Sequence, residues 1–464
     1  MFISLIMLSI VMLSVTAAFA ADDTADITAI DDEISVDEEV LAVEEDTQVL
    51  SEDEGASTSS IIINNSNIRE YISEAGQINK NITADELIFE GTFENLTLFV
   101  ESPFKITGYN SNLINPDIQI YSSNVTFSGF TINQTTGINS IFAGAVEGET
   151  ISDVVLTDLT IDFVDANSGP EGIPIHVLRT ENFCLSNSVI NYVGNTMGYY
   201  VNNAILISSS NNAIINGNKF KISIPSAAVG WAEVPAGSGN WVSSPMSEGI
   251  VVDSSDDVIF DSNEVNVVYN AVVGEYDTIY SIDFKNSNKA VISNNVIDST
   301  GFTYIYGIIL SGDDFIIRSN NITSVGDYYA NGIDVEGPAS GVVEDNVIDV
   351  KANTSVYGIY SGMNGADVKA NYTGNTITGE AYNVFGFSSG DVESNIVKNE
   401  IELTGNYTTG IAFRGSSINI DNNHIVSIAS EEGNETIWEG FGVEAVGVKV
   451  IMGNATINNN TIAT

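Results

Sequence analysis

The sequence predicts an all-β solenoid: a right-handed parallel β-helix of about a dozen turns, opened by a short capping helix. Three observations lead there. A tripeptide of asparagine, any residue and a hydrophobe recurs as Asn218-Lys-Phe220, Asn263-Glu-Val265, Asn295-Val-Ile297, Asn320-Asn-Ile322, Asn346-Val-Ile348, Asn375-Thr-Ile377, Asn399-Glu-Ile401, Asn423-His-Ile425 and Asn460-Thr-Ile462, at intervals of 45, 32, 25, 26, 29, 24, 24 and 37 residues. A period near 25 marks a stacked-repeat architecture. Several copies add a second strand signal, as in Gly249-Ile250-Val251-Val252, Gly307-Ile308-Ile309-Leu310, Gly332-Ile333-Asp334-Val335 and Gly410-Ile411-Ala412-Phe413. These are short β-branched runs without a helical period. One turn built from them cannot bury its own inner face, but stacked turns can.

In chain order, residues 1–20 are apolar and end in Ala18-Phe19-Ala20, a small-x-small cleavage site, and read as a secretory signal peptide. If retained, the segment is long enough to anchor the chain in a bilayer, its only expected route to a membrane. Either way the rest is expected outside the cell. Residues 21–58 carry 15 acidic and no basic side chains and predict a disordered acidic spacer.

Residues 59–464 are assigned to the β-helix. Asn67-Ile-Arg-Glu70 resembles a capping box that opens a helix with Ile68, Tyr71, Ile72 and Ala75 on one face, suited to closing the end of the coil. Ile106, Ile132, Ile161 and Ile190 extend the hydrophobic column toward the N-terminus, with Phe130, Leu159 and Ser188 in the asparagine's place. The asparagines are read as structural: their amides can bond turn to turn, and asparagine tolerates a left-handed corner. Cys184 between Phe183 and Leu185 reads as a buried small hydrophobe.

The spacer and coils such as Ser123-Asn-Val-Thr-Phe-Ser-Gly-Phe-Thr-Ile132 and Asp314-Phe-Ile-Ile-Arg-Ser-Asn-Asn-Ile322 resemble parallel β-helix proteins of the pectate-lyase-like superfamily. More narrowly they resemble the adhesin-like surface proteins of methanogenic archaea. That resemblance implies a cell-surface protein that binds glycans or other cells. The superfamily also hosts lyases and hydrolases, so fold alone does not choose a function.

Charge narrows the partners. With 62 acidic against 14 basic residues, a net charge of -48 excludes nucleic acid and disfavours anionic lipid and polyuronates. Glycans or cell-surface polymers are the expected partners.

Alternation along the Gly-Ile strands places Val251, Asp283, Ile309, Asp334, Tyr360, Phe385 and Ala412 on the outer surface, an apolar stripe that should be covered. Two connections, near 221–248 and 426–446, are far longer than the rest, share one slot of the repeat and contain all three tryptophans, Trp231, Trp241 and Trp438. They are expected to stand about 35 Å apart along one edge and wall a groove whose indoles meet sugar rings or pin their own loops.

No catalytic residue is assigned under the adhesin reading. The enzyme alternative, a glycoside hydrolase or lyase, uses Asp283 and Asp334, two turns and so about 10 Å apart, near the spacing of an inverting pair. Against it, the Gly-His-Gly and Arg-Ile-Lys motifs that the resemblance would supply for a pectin hydrolase are absent, and the only histidines are His176 and His424, the latter at an exposed corner. A third reading is a structural envelope component. No cofactor is expected; Asp256 and Asp313, in repeated acidic corners, are weak candidates for Ca2+. Of the Asn-x-Ser/Thr sequons, Asn321 and Asn371 are the candidate glycosylation sites.

Overall fold

The computed structural model describes residues 59–145, 149–165, 172–194, 203–225, 232–233, 241–242, 246–270, 278–301, 304–362, 367–429 and 444–464. The segments expected to be a signal peptide and an acidic spacer lie outside these residues. So do Trp231 and Trp438.

Each level of the coil is three short strands, as in Thr278–Lys285, Val291–Ser293 and Val296–Gly301. Each strand pairs in parallel with its counterparts above and below, which gives one 33-stranded sheet wrapped on itself. Parallel crossovers of this kind are right-handed.

Ile297, Ile322 and Ile348 fall in one register column and are no more than 1% exposed, as the repeat predicts. The column runs Phe93, Leu113, Ile132, Ile161, Ile190, Phe220, Val265, Ile297, Ile322, Ile348, Ile377, Ile401, Ile425 and Ile462, fourteen levels. At about 4.8 Å per level the stack rises about 60 Å. Ile106 is not in it; Ile106 lies over Phe127 in the neighbouring column, and Leu113 takes the expected place. In that stretch the chain makes shorter turns without an asparagine to mark the corner.

The corner between the second and third strands is held by the asparagines. Asn346 is typical. Its Nδ2 donates to Asn375 Oδ1 at 3.0 Å and to the Ile317 carbonyl at 2.9 Å, while its Oδ1 accepts from the N–H and Nδ2 of Asn320 at 3.0 and 2.9 Å. The pattern repeats from Asn218 to Asn460. Ser188 continues it one level toward the N-terminus, its N–H donating to Asn218 Oδ1. The left-handed residue is not the ladder asparagine but the one before it: Ser262, Asn294, Ser319, Asp345, Lys398, Asn422 and Asn459 have φ between 49° and 58°. The asparagine is therefore selected for its amide, and the preceding residue takes the strained backbone.

A serine column stands at the corner between first and second strands. The N–H of Ser210 donates to Ser255 Oγ, and each hydroxyl donates to the carbonyl two residues back.

Two local expectations change. The cap is a single turn, Ile68–Tyr71, and Asn67 Oδ1 accepts from the Asn64 N–H, not from its own first turn. Ile68 and Ile72 enter the core while Ala75 is exposed. Cys184 points outward and is half-buried, because Phe183 and Leu185 on either side of it take the interior.

Candidate functional site

The outward column of the first strands reads Val251, Asp283, Ile309, Asp334, Tyr360, Ser388 and Ala412. Phe385 was expected here and is not. Gly386 stacks on Gly358, so the outward residue two further on is Ser388, while Phe385 pairs with Tyr357 in the adjacent column. Ile282, Phe284, Ile308, Leu310, Ile333 and Val335 point inward, each 0% exposed.

The outward column is not open to solvent. Val251, Asp283, Ile309, Asp334 and Ala412 are between 2% and 7% exposed. A cleft of about 350 Å³ lies over the Asp283 and Ile309 levels of it, lined by Tyr280, Asp283, Lys285, Ile309, Glu336 and Pro338 among others.

Beside the column stands a file of aromatic rings, one per level over five levels: Tyr280, Tyr306, Tyr329, Tyr357 and Phe385. Successive centroids are 5.0, 5.5, 5.5 and 4.9 Å apart. The planes are shingled, from 65° between the first two to 8° between the last two, and all five are half-buried. Tyr360 meets Tyr357 edge-on at 5.2 Å. Such rings present apolar edges and faces together with hydroxyl tips. Only Phe385 of this file was singled out from the sequence. The signal was present: an aromatic residue directly precedes the strand glycine in Tyr306-Gly307, Tyr357-Gly358 and Phe385-Gly386.

The acids are strongly perturbed. Burial raises the Asp283 carboxyl to about 7, against the pull of Lys285 and with the push of Glu248. Lys285 Nζ lies 2.5 Å from Glu248 Oε1 and 3.3 Å from Asp283 Oδ2. Burial, assisted by Glu336, drives Asp334 well above the ordinary carboxyl range. Burial therefore favours the protonated form of both carboxyls. Asn331, fully buried between Tyr306 and Tyr357 in register, donates from Nδ2 to Asp334 Oδ2 at 3.2 Å. Its Oδ1 has no hydrogen-bond partner.

The register places Asp283 and Asp334 two levels apart with Ile309 between, as expected. The strands before the two long connections end at Pro225 and Ala429, and the strands after them, Met246–Asp253 and Glu444–Asn458, stand seven levels apart. Of the tryptophans only the Trp241 backbone is described, in a two-stranded antiparallel ladder opposite Glu233.

Asp256 Oδ1 accepts from both nitrogens of Asn288, and Asp313 Oδ1 accepts from Ser340. Among the described residues no three His, Cys, Asp or Glu side chains gather as a metal cluster. Asn321, Asn371 and His424 are exposed. No described helix is long and apolar enough to cross a membrane.

No protein-family model matches the chain, and no curated protein matches it by sequence. Its structural neighbours are parallel β-helix proteins. They include PfbA, a surface adhesin of Streptococcus pneumoniae (14% identity, TM-score 0.45, covering 82% of this chain and 96% of that one). A mannuronic-acid-specific family 6 polysaccharide lyase from human gut microbiota is 14% identical, with TM-score 0.45 and coverage of 80% and 87%. The A-module of the mannuronan C-5 epimerase AlgE6 of Azotobacter vinelandii is 14% identical, with TM-score 0.41 and coverage of 82% and 91%. The likeness concerns the stacked architecture.

Proposed function

We propose that this protein is an exported, surface-displayed adhesin whose outer cleft binds a neutral glycan without turning it over. The observation that carries the reading is the five-ring file beside two buried acids. Tyrosine supplies a rigid surface, apolar on its body and polar at its tip, at low entropic cost. A carboxyl whose burial favours the protonated form both donates and accepts hydrogen bonds, which suits sugar hydroxyls. A formal charge of -48 disfavours a polyanionic ligand. The sequence resemblance to adhesin-like surface proteins of methanogenic archaea and the signal-like residues 1–20 support surface display.

The test is binding of the full chain to an array of neutral and anionic oligosaccharides. Neutral ligands should be retained, and Tyr306→Ala or Tyr357→Ala should weaken them about tenfold or more. Retention of anionic sugars alone would overturn the reading.

The perturbed pair Asp283 and Asp334 favours a second reading, inverting hydrolysis of the same glycan. Release of reducing ends on prolonged incubation, abolished in Asp334→Asn while binding persists, would select it. Stable ligand selects the adhesin.

A further inference from the structure

The two ends of the coil are finished differently. At the N-terminal end the turn Ile68–Tyr71 supplies Ile68, and Ile72 after it, to the core, and Ile63, Ile68 and Ile72 are at most 9% exposed. At the other end stands the level formed by Glu444–Asn458 and Thr461–Ala463. Among the described residues its strands pair on one side only, with Glu400–Asp421 and His424–Ala429. Its inward positions are bare. Phe413, Ile420 and Ile425 are 0% exposed, but Val450, Ile457 and Ile462, which stack on them, are 38%, 47% and 45% exposed. The asparagine ladder stops at this level too. Asn460 Oδ1 accepts from Asn423, and among the described residues no further asparagine takes the Asn460 N–H.

We propose that this open level is a docking edge for a second copy of the same chain, and that two coils join end to end about a two-fold axis. The proposal goes beyond the glycan reading and does not depend on it. Three observations favour this occupant. First, an edge of unpaired backbone N–H and C=O groups, with bare aliphatic side chains behind it, is completed by another strand edge. The N-terminal core is covered by its turn, so the matching edge is the same level of another copy, and a patch that meets itself about a two-fold axis closes at two. Second, a formal charge of -48 makes copies repel over most of their surface, yet from 444 to 464 only Glu444 and Lys449 carry charged side chains. Third, those two charges are self-complementary. They lie five residues apart, about 16 Å along a strand, too far to pair within one chain. Among the described residues neither is ion-paired. A two-fold axis running outward through Val446-Gly447 lays the two copies of this strand antiparallel, edge to edge. In that register Glu444 of each copy stands opposite Lys449 of the other, and Ala445 opposite Val448. The sidedness agrees. Ala445 and Val448 continue the buried columns of Thr408 and Ile411, while Lys449 continues the outward column of Ala412 and Glu444 is exposed. Opposite charges facing each other across antiparallel strands stabilise the pairing, and like charges there oppose it.

The experiment is sedimentation velocity of the full chain from about 1 to about 100 µM, with no glycan present. The parent should form a dimer and nothing larger. Glu444→Lys and Lys449→Glu each set like charges opposite one another, and each should weaken the dimer at least about tenfold. An equimolar mixture of the two variants should dimerise again, because the charges of one are complementary to those of the other, and so should the double reversal in one chain. Recovery on mixing requires both variants to be folded, so it separates a lost contact from a lost fold. A parent that stays monomeric at the highest concentration overturns the proposal. So does a dimer indifferent to both reversals, which places the contact elsewhere, an assembly that grows beyond two, or a mixture that fails to associate although both variants melt like the parent.

Discussion

The asparagine corner and the acid face are both columns of buried polar side chains stacked in register, yet they are built on opposite rules. At the corner the same residue recurs, so each amide's donors and acceptor meet their complements one level away. On the face, unlike residues alternate: an acid, an isoleucine, an acid, a tyrosine. The two carboxyls have local partners, Lys285 for Asp283 and Asn331 for Asp334, but none in their own column, and burial raises both above their ordinary range. Identical repetition with complete pairing marks a structural element. In the repeat sequence both are hydrophilic letters at fixed intervals; only the partners distinguish them.

The comparison is broken most severely by removing one rung. Asn346→Ala deletes four hydrogen bonds, taking a donor from the Ile317 carbonyl and the acceptor from the Asn320 N–H while Asn375 Oδ1 keeps the Asn346 N–H, and should cost about 3 kcal/mol in a urea or thermal melt. A cost under about 1 kcal/mol would deny the ladder its structural role.

A buried acid without repetition should behave differently, and Asp391 is the cleaner case because it is 0% exposed inside the coil. Its Oδ2 accepts from the Tyr372 hydroxyl at 2.9 Å. Burial raises its carboxyl to about 6, against the hydrogen bonds of Ser361 and Tyr372. The folded value exceeds the unfolded one, so the proton's contribution is complete below about pH 4, is lost as pH rises to about 6, and changes no further above that. Asp391→Asn has no proton to lose. Its stability relative to the parent should therefore improve by about 2 kcal/mol between pH 4 and pH 7, read from melts at each pH. A pH-independent difference would place the carboxyl near its ordinary range.

The smallest effect sharpens the role of burial. The acidic corners also stack, with Asn288 donating to Asp256 Oδ1 and accepting from the Asp313 N–H, but Asp313 is exposed and Asp256 and Asn288 are only half-buried. Water can replace these partners, so Asn288→Ala should cost less than about 1 kcal/mol in the same melts. A loss as large as that of Asn346→Ala would mean that pairing matters regardless of solvent.

Much of the fold was legible because a solenoid repeats its local instructions. The interval between asparagines set the level, the Gly-Ile alternation set inside and outside, and the column of Ile297, Ile322 and Ile348 formed as read. The reading failed where the repeat is irregular. Ile106 was aligned by interval alone, and Phe385 was aligned to the wrong outward position although Gly386 marked the true one. The site was half legible. Asp283, Ile309 and Asp334 were placed correctly, but the tyrosines of the adjacent column were missed, because attention fell on one outward position per strand.

Sequence alone determined the architecture, its level spacing, its interior columns and the structural role of the asparagines, since each follows from local patterns that repeat with the period of the coil. Tertiary structure decided what the outer face is. Whether Tyr306 stands beside Asp334 depends on register between levels some 25 residues apart, and so does whether a carboxyl is dry enough to keep its proton. Neither is encoded in either neighbourhood by itself, because burial belongs to the stack and not to the strand.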